Sequence, residues 1–218
     1  MYYNDSLHNH VSRMAISLNP GLKGQLEYKS ATIGGAKLMH HNIRWLLEQE
    51  NIGIKKPFEV VIIQGASDEA LGATPDKNYV NTVQAYSDLI RDHGAQPYLY
   101  MTPAYVKPHK LYKKELISEI RHNVMQAAKR ANIPVIPVGL AFAEAYRRNP
   151  EIKLHKHFDG SHPTLKGTYL AACVVYLTIY GGSLESSDYD YFGTIDKETA
   201  LFLRQVAADV TEAFTNEG

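Results

Sequence analysis

The run Phe58-Glu-Val-Val-Ile-Ile63 constrains the fold more than any other stretch, because it is nearly continuous in apolar and mostly β-branched residues instead of alternating with polar ones. Strands of that composition are covered on both faces, as in a parallel sheet. Gln64-Gly65 ends the run. Thr74-Pro75-Asp76 then has the makings of a helix start, with a capping threonine, a proline at the first helical position and an acidic first turn. Val80, Val83, Tyr86 and Ile90 recur at helical spacing until Gly94. The strand, loop, helix unit returns with Pro97–Met101 and a helix from Lys113 to Ala131. It returns again with Val135–Val138 and a helix from Ala141 to Arg148. Pro137 offers no backbone donor, so this last strand is expected at a sheet edge. Alternation of this kind predicts βαβ crossovers and a parallel sheet.

Upstream, Gln25–Ile33 reads as a further strand that breaks at Gly34-Gly35 and feeds a helix carrying Leu38, Ile43, Trp45 and Leu46. Downstream, Thr164 to Tyr180 and Lys197 to Phe214 read as helices, the first closed by Gly181-Gly182. Asn4 to Leu18 has helical periodicity with no strand before it. The 218 residues suffice for one α/β core and no linker divides them, so a single domain over residues 1–218 is expected.

Twenty-three basic side chains balance 23 acidic ones, which leaves no electrostatic footprint for nucleic acid or an anionic membrane. A neutral small molecule or sugar ester suits such a chain better. Cys173 lies in the apolar run Tyr169–Tyr180, where a lone thiol acts as a small core hydrophobe and forms no internal disulfide. That run is shorter than the roughly 18 apolar residues of a membrane span. The first residues lack the basic and apolar regions of a signal peptide, so a cytoplasmic protein is expected, with a secreted or periplasmic one following if the N-terminus is truncated.

The sharpest chemical feature is Phe158-Asp-Gly-Ser-His-Pro-Thr164. The ends of a β-turn lie within about 7 Å of each other, which brings Asp159 within reach of His162. A carboxylate bonded to one imidazole nitrogen fixes the tautomer, so the other nitrogen can take a proton from a hydroxyl and return it to a leaving group. Pro163 disfavours helical backbone at His162 and holds it outside the following helix. Two other readings fit the same residues. One is a plain Asp-Gly turn beside a helix. The other is a zinc site, because His155, His157, Asp159 and His162 have ligand chemistry, although His40-His41 would diverge on a helix and no second ligand motif is present. Tyr98, Tyr100, Tyr105 and Tyr112 are expected as packing, and the basic loop Lys107–Lys114, with His109, as a solvated connection.

Three stretches carry a family likeness: Val60–Ser67, Pro137–Phe142 and Asp159–Ala172. Together they resemble successive blocks of the SGNH (GDSL-type) hydrolases, over residues 2 to 185, with the Asp-x-x-His block the most specific. The resemblance implies a flavodoxin-like three-layer α/β/α sandwich on a five-stranded parallel sheet. It also implies ester hydrolysis by a serine nucleophile, without metal or organic cofactor, on small or acetylated-sugar esters. Under it, Asp159 and His162 match the orienting acid and general base. Gly35 matches the glycine whose N–H helps bind the oxyanion. Ser67 stands where the family has an asparagine amide, and its rotating hydroxyl is a less rigid donor.

The family's first block, a buried strand ending in the nucleophile turn, has no counterpart before Met1. Asn4-Asp5-Ser6-Leu7 mimics that block with Asn for Gly and would make Ser6 the nucleophile. Alternatively, Tyr2–His8 resembles the segment after the nucleophile turn, with the first strand and its serine lost upstream. The helical periodicity beginning at Leu7 favours the second alignment, since serine suits a helix start by capping alone. A non-catalytic, carbohydrate-binding relative that keeps the Asp–His pair is the reading from a different class.

Overall fold

Val60–Ile63 forms strand β1 in the computed structural model of the protein, which describes residues 5–217. It pairs in parallel with β2 (Gln96–Tyr100), which pairs in parallel with β3 (Val135–Ile136), in the order β1-β2-β3. Val60 lies opposite Gln96, Ile63 opposite Leu99, and Leu99 opposite Val135. Helices α1 (Leu7–Leu18) and α2 (Ile43–Leu47) precede the sheet, and α3 (Lys77–Asp92) and α4 (Leu116–Ala131) connect its strands. After it come α5 (Val138–Arg148), α6 (Leu165–Tyr180) and α7 (Lys197–Asn216). The architecture is helix-rich α/β on a parallel sheet, as the strand, loop, helix alternation predicts.

Two expectations fail at one side of this sheet. Gln25–Ile33 forms no strand; it is irregular, and Tyr28 and Ile33 are exposed. An alternating segment with no neighbouring strand leaves its N–H and C=O groups to water and gains nothing from extension. β1 is likewise not covered on both faces, since Ile62 is 37% exposed and only Ile63 is buried. Among the described residues the sheet has three of the five strands that the family likeness implies, and β1 is an edge. β3 is the other edge, as Pro137 predicts, and it stops after two residues because Pro137 becomes the N-cap of α5.

The described chain groups into two compact units. One contains the sheet and takes in Glu27–Thr102 and Lys114–Ile136. Within it α3 packs on α4 and on β2, burying Val80, Val83 and Ile90 of one helix and Ile120, Val124 and Ala127 of the other. α3 starts later than Thr74-Pro75 suggests, because the Asp76 carboxylate caps it by accepting from Asn78 N at 2.7 Å.

The other unit takes in the described residues up to Leu26, Pro103–Lys113, and the chain from Pro137 onward. Its centre is α6, apolar around its whole circumference and buried from Gly167 to Val175, with α1, α5 and α7 packed against it. Gly167 is dictated by contact, since a Cβ there would come within 2.3 Å of Leu154 O. Cys173 is fully buried in this helix, and burial pushes its thiol up, which fits a core hydrophobe. Among the described residues no helix is long and apolar enough to cross a membrane.

Candidate active site

The segment Leu154–Thr164 is a closed loop at the start of α6. His155 and Pro163 form an isolated antiparallel bridge, Lys156 N donates to His162 O at 2.7 Å, and Thr164 N donates to Leu154 O at 2.8 Å. The Thr164 hydroxyl donates to Lys153 O, and its oxygen accepts from Gly167 N to cap the helix. Gly160 sits at the tip with φ +62°, and a Cβ on it would come within 2.1 Å of Val106 O. The glycine of the Asp-Gly pair therefore allows both a left-handed turn and a backbone approach that no other residue permits.

The loop brings Asp159 and His162 together as the sequence predicts. His162 Nδ1 lies 2.7 Å from Asp159 Oδ2. Asp159 Oδ1 accepts from Ser161 N at 2.8 Å and from His162 N at 3.0 Å, so the carboxylate is fixed by the loop that also carries its partner. Burial pushes the Asp159 carboxyl up, but the Ser161 N–H and the side chain and backbone of His162 outweigh it and hold the group below the ordinary aspartate value. An ionised acceptor keeps the imidazole proton on Nδ1, which makes Nε2 the basic nitrogen. The side chains are 37% and 23% exposed, so the pair is open to solvent.

The zinc cluster does not assemble. His155 is 6% exposed and its Nδ1 lies 2.8 Å from the Tyr146 hydroxyl, with the Phe142 ring edge-on. His157 packs edge-on against Phe158, whose ring is exposed. Among the described residues no three of His, Cys, Asp and Glu converge as a ligand set. The same contacts give His155 a different part. Tyr146 Oη accepts from Leu154 N and His155 N, each at 3.2 Å, so its own hydrogen goes to His155 Nδ1 and the imidazole proton sits on Nε2, which is buried without a partner. Tyr146 thus clamps α5 to the root of the loop that carries Asp159 and His162. No sequence signal marks it.

Gly35 and Ser67, the expected oxyanion donors, lie in the sheet-bearing unit. Gly35 has φ +70° in an exposed turn that Ala36 N closes onto Ile33 O. Ser67 is half-buried in the turn after β1. The sequence reading missed what organises both segments. Glu69 is 5% exposed, and its Oε2 accepts from Leu38 N at 2.8 Å and from Ala66 N at 2.7 Å. One buried carboxylate oxygen thereby ties the chain just after Gly35 to the residue just before Ser67.

Ser6 is the N-cap of α1 by position, with extended backbone, yet its hydroxyl makes no capping bond. The neighbouring Asp5 carboxylate accepts from Ser6 N and from the Asn9 side chain and pairs with Arg13. The Ser6 hydroxyl is therefore not consumed by the helix. Met1–Asn4, which begin the segment compared with the family's first block, lie outside the described residues.

No protein-family model and no curated protein matches the chain. Solved structures do. A protein from Slackia heliotrinireducens described as a candidate SGNH hydrolase aligns at TM-score 0.61 and 24% identity, over 78% of this chain and 91% of that one. A GDSL-like lipase candidate from Parabacteroides merdae aligns at TM-score 0.61 and 16% identity, over 81% and 82%. An acetyl xylan esterase aligns at TM-score 0.56 and 19% identity, over 80% and 96%. At these identities the likeness is one of fold, and the fold is that of SGNH-type hydrolases.

Proposed function

We propose that the chain is a serine-type ester hydrolase acting on small or carbohydrate esters, acetyl esters among them. The observation that carries this reading is the 2.7 Å contact of His162 Nδ1 with an Asp159 carboxylate already fixed by two backbone N–H groups. That arrangement suits a general base, and the fold it sits on is similar to that of a solved acetyl xylan esterase and of a GDSL-like lipase candidate.

In this reading His162 Nε2 takes the proton of a serine hydroxyl as the oxygen attacks the ester carbonyl. The developing oxyanion calls for hydrogen-bond donors, and a single donor of that kind is typically worth about 3–4 kcal/mol. Collapse breaks the bond to the alcohol, which leaves with the proton from the imidazolium. Water then repeats the sequence on the acyl-enzyme, releasing the acid and regenerating the serine. Ser6, whose hydroxyl the helix does not use, is the nucleophile to test within this chain.

The test is labelling of the folded protein with a fluorophosphonate, read by intact mass and peptide mapping, beside His162→Ala. We expect a single adduct that disappears in the variant, and the labelled peptide names the serine. Absence of an adduct on folded protein, or one indifferent to His162, sinks the hydrolase reading and leaves a carbohydrate-binding relative as the alternative.

A further inference from the structure

The chain is neutral as a whole, but the two loops that meet at the catalytic turn are not. Val106 N donates to Gly160 O at 2.9 Å, and the bare Gly160 Cα fits against Val106 O and His109 N. This docks the segment Pro103–Lys113 onto the tip of the loop that carries Asp159 and His162. The docked segment contains Lys107, Lys110 and Lys113 and no acid, and residues 152–163 add Lys153 and Lys156. Asp159 is the one carboxylate in either stretch, and it is engaged by His162.

Nor is the segment a loose connection. His109 stacks on the buried Tyr105 ring at 3.7 Å between centroids and 19° between planes. Its Nδ1 accepts from Leu111 N at 3.2 Å, which leaves the ring proton on Nε2 as a donor. Lys107 Nζ stands 5.8 Å over the Tyr112 ring. Among the described residues neither Lys107 nor Lys110 makes an ion pair, and both are exposed. Lys107 is one residue from Val106 and His162 two from Gly160, steps of about 3.8 Å each, so the backbone of Lys107 lies a few such steps from that of the dyad.

We propose that this site takes an ester bearing a carboxylate, and that Lys107 and Lys110, on a loop held rigid by Gly160 and Tyr105, bind that charge. The inference rests on the hydrolase reading and names its substrate class. Two positive charges near an open site favour an anion over its neutral isostere, and the preference weakens as salt screens it. The carboxylate can belong to the acyl group or to the alcohol.

The experiment compares kcat/KM for para-nitrophenyl acetate, the para-nitrophenyl hemiester of succinate, and para-acetoxybenzoate, which place the charge nowhere, on the acyl side, and on the alcohol side. In the double variant K107Q/K110Q the preference for one of the charged esters over the neutral one should fall about fivefold to tenfold, the scale of two exposed ion pairs. Added salt should erode the wild-type preference in the same direction, while Lys197→Gln, on α7, should not change it. The charged ester that responds identifies the side. A wild type that turns over the acetate through His162 but whose ratios ignore both lysines and salt overturns this proposal and leaves the hydrolase reading standing. A wild type with no His162-dependent turnover fails the hydrolase reading instead. The charge preference is then read by titrating para-acetoxybenzoate against para-acetoxybenzamide and following the imidazole resonances of His109 and His162, where equal responses to anion and amide overturn it.

Discussion

Tyr146 Oη stands 2.8 Å from His155 Nδ1 while accepting from the backbone N–H groups of Leu154 and His155, so one phenol joins α5 to the loop that carries the dyad. Removing it leaves a buried imidazole nitrogen and two amides unpaired. Tyr146→Phe should cost about 1–3 kcal/mol in chemical denaturation, the scale of buried polar groups left without partners. It should also weaken the downfield Nδ1–H proton resonance of His162, because the loop root loosens. Unchanged stability together with an unchanged resonance would show that the clamp carries no load.

Buried histidines give the protein an acid limit. Burial lowers His155 from 6.5 to about 4, and lowers His10 from 6.5 to about 4. Their folded values lie below their unfolded ones, so between these limits the unfolded chain binds more protons and stability falls as pH drops from about 6.5 towards 4, by up to about 1.4 kcal/mol per pH unit for each group. His155→Gln and His10→Gln should each flatten the slope of unfolding free energy against pH in that window. Parallel profiles for wild type and variants would contradict the assignment.

Gly160→Ala combines a positive φ with a Cβ 2.1 Å from Val106 O. Backbone cannot yield as a flexible side chain does, so the variant should release the Pro103–Lys113 segment from the loop that carries Asp159 and His162. We expect faster amide exchange at Val106, whose N–H bonds to Gly160 O, and a stability loss of about 1–3 kcal/mol, the range of backbone strain of this kind. Val106 protection equal to wild type would rule out the close approach.

Glu69 should behave as a buried anchor. Glu69→Ala leaves Leu38 N and Ala66 N without their acceptor and should cost about 3–5 kcal/mol, whereas Glu69→Gln keeps an oxygen in place and should cost clearly less. Hydrogen exchange at these two amides is the local measurement. Equal losses in the two variants would place the effect in packing and not in the carboxylate.

Much of this was legible in the sequence for identifiable reasons. Strand β1 and the helices from Thr74 onward carry dense periodic signals, and Asp159 and His162 sit within one turn, where local geometry decides their contact. Gln25–Ile33 misled because alternation records what a strand needs and not whether a partner strand exists; its residues lie exposed. The helix expected after Gly35 shrinks to α2 because the Asn42 side chain caps it at Trp45 N, a local bond that competes with continuing the upstream turns. Tyr146 and Glu69 were invisible for the opposite reason. Glu69 meets a backbone amide 31 residues away, and Tyr146 meets the edge of a loop beyond its own helix, so neither contact leaves a periodic trace.

The division of the chain between its two units bears on how it is made. The polypeptide contributes three separate stretches to one unit and two to the other, so no single cleavage frees either whole. A ribosome completes the sheet-bearing unit once Ile136 has emerged. The dyad-bearing unit must wait for α7, with α1 already synthesised and its apolar face uncovered. Contacts closed over such long stretches of chain form late and slowly. Synthesis therefore passes through an interval in which α1 lacks α6, the helix it packs on in the finished fold.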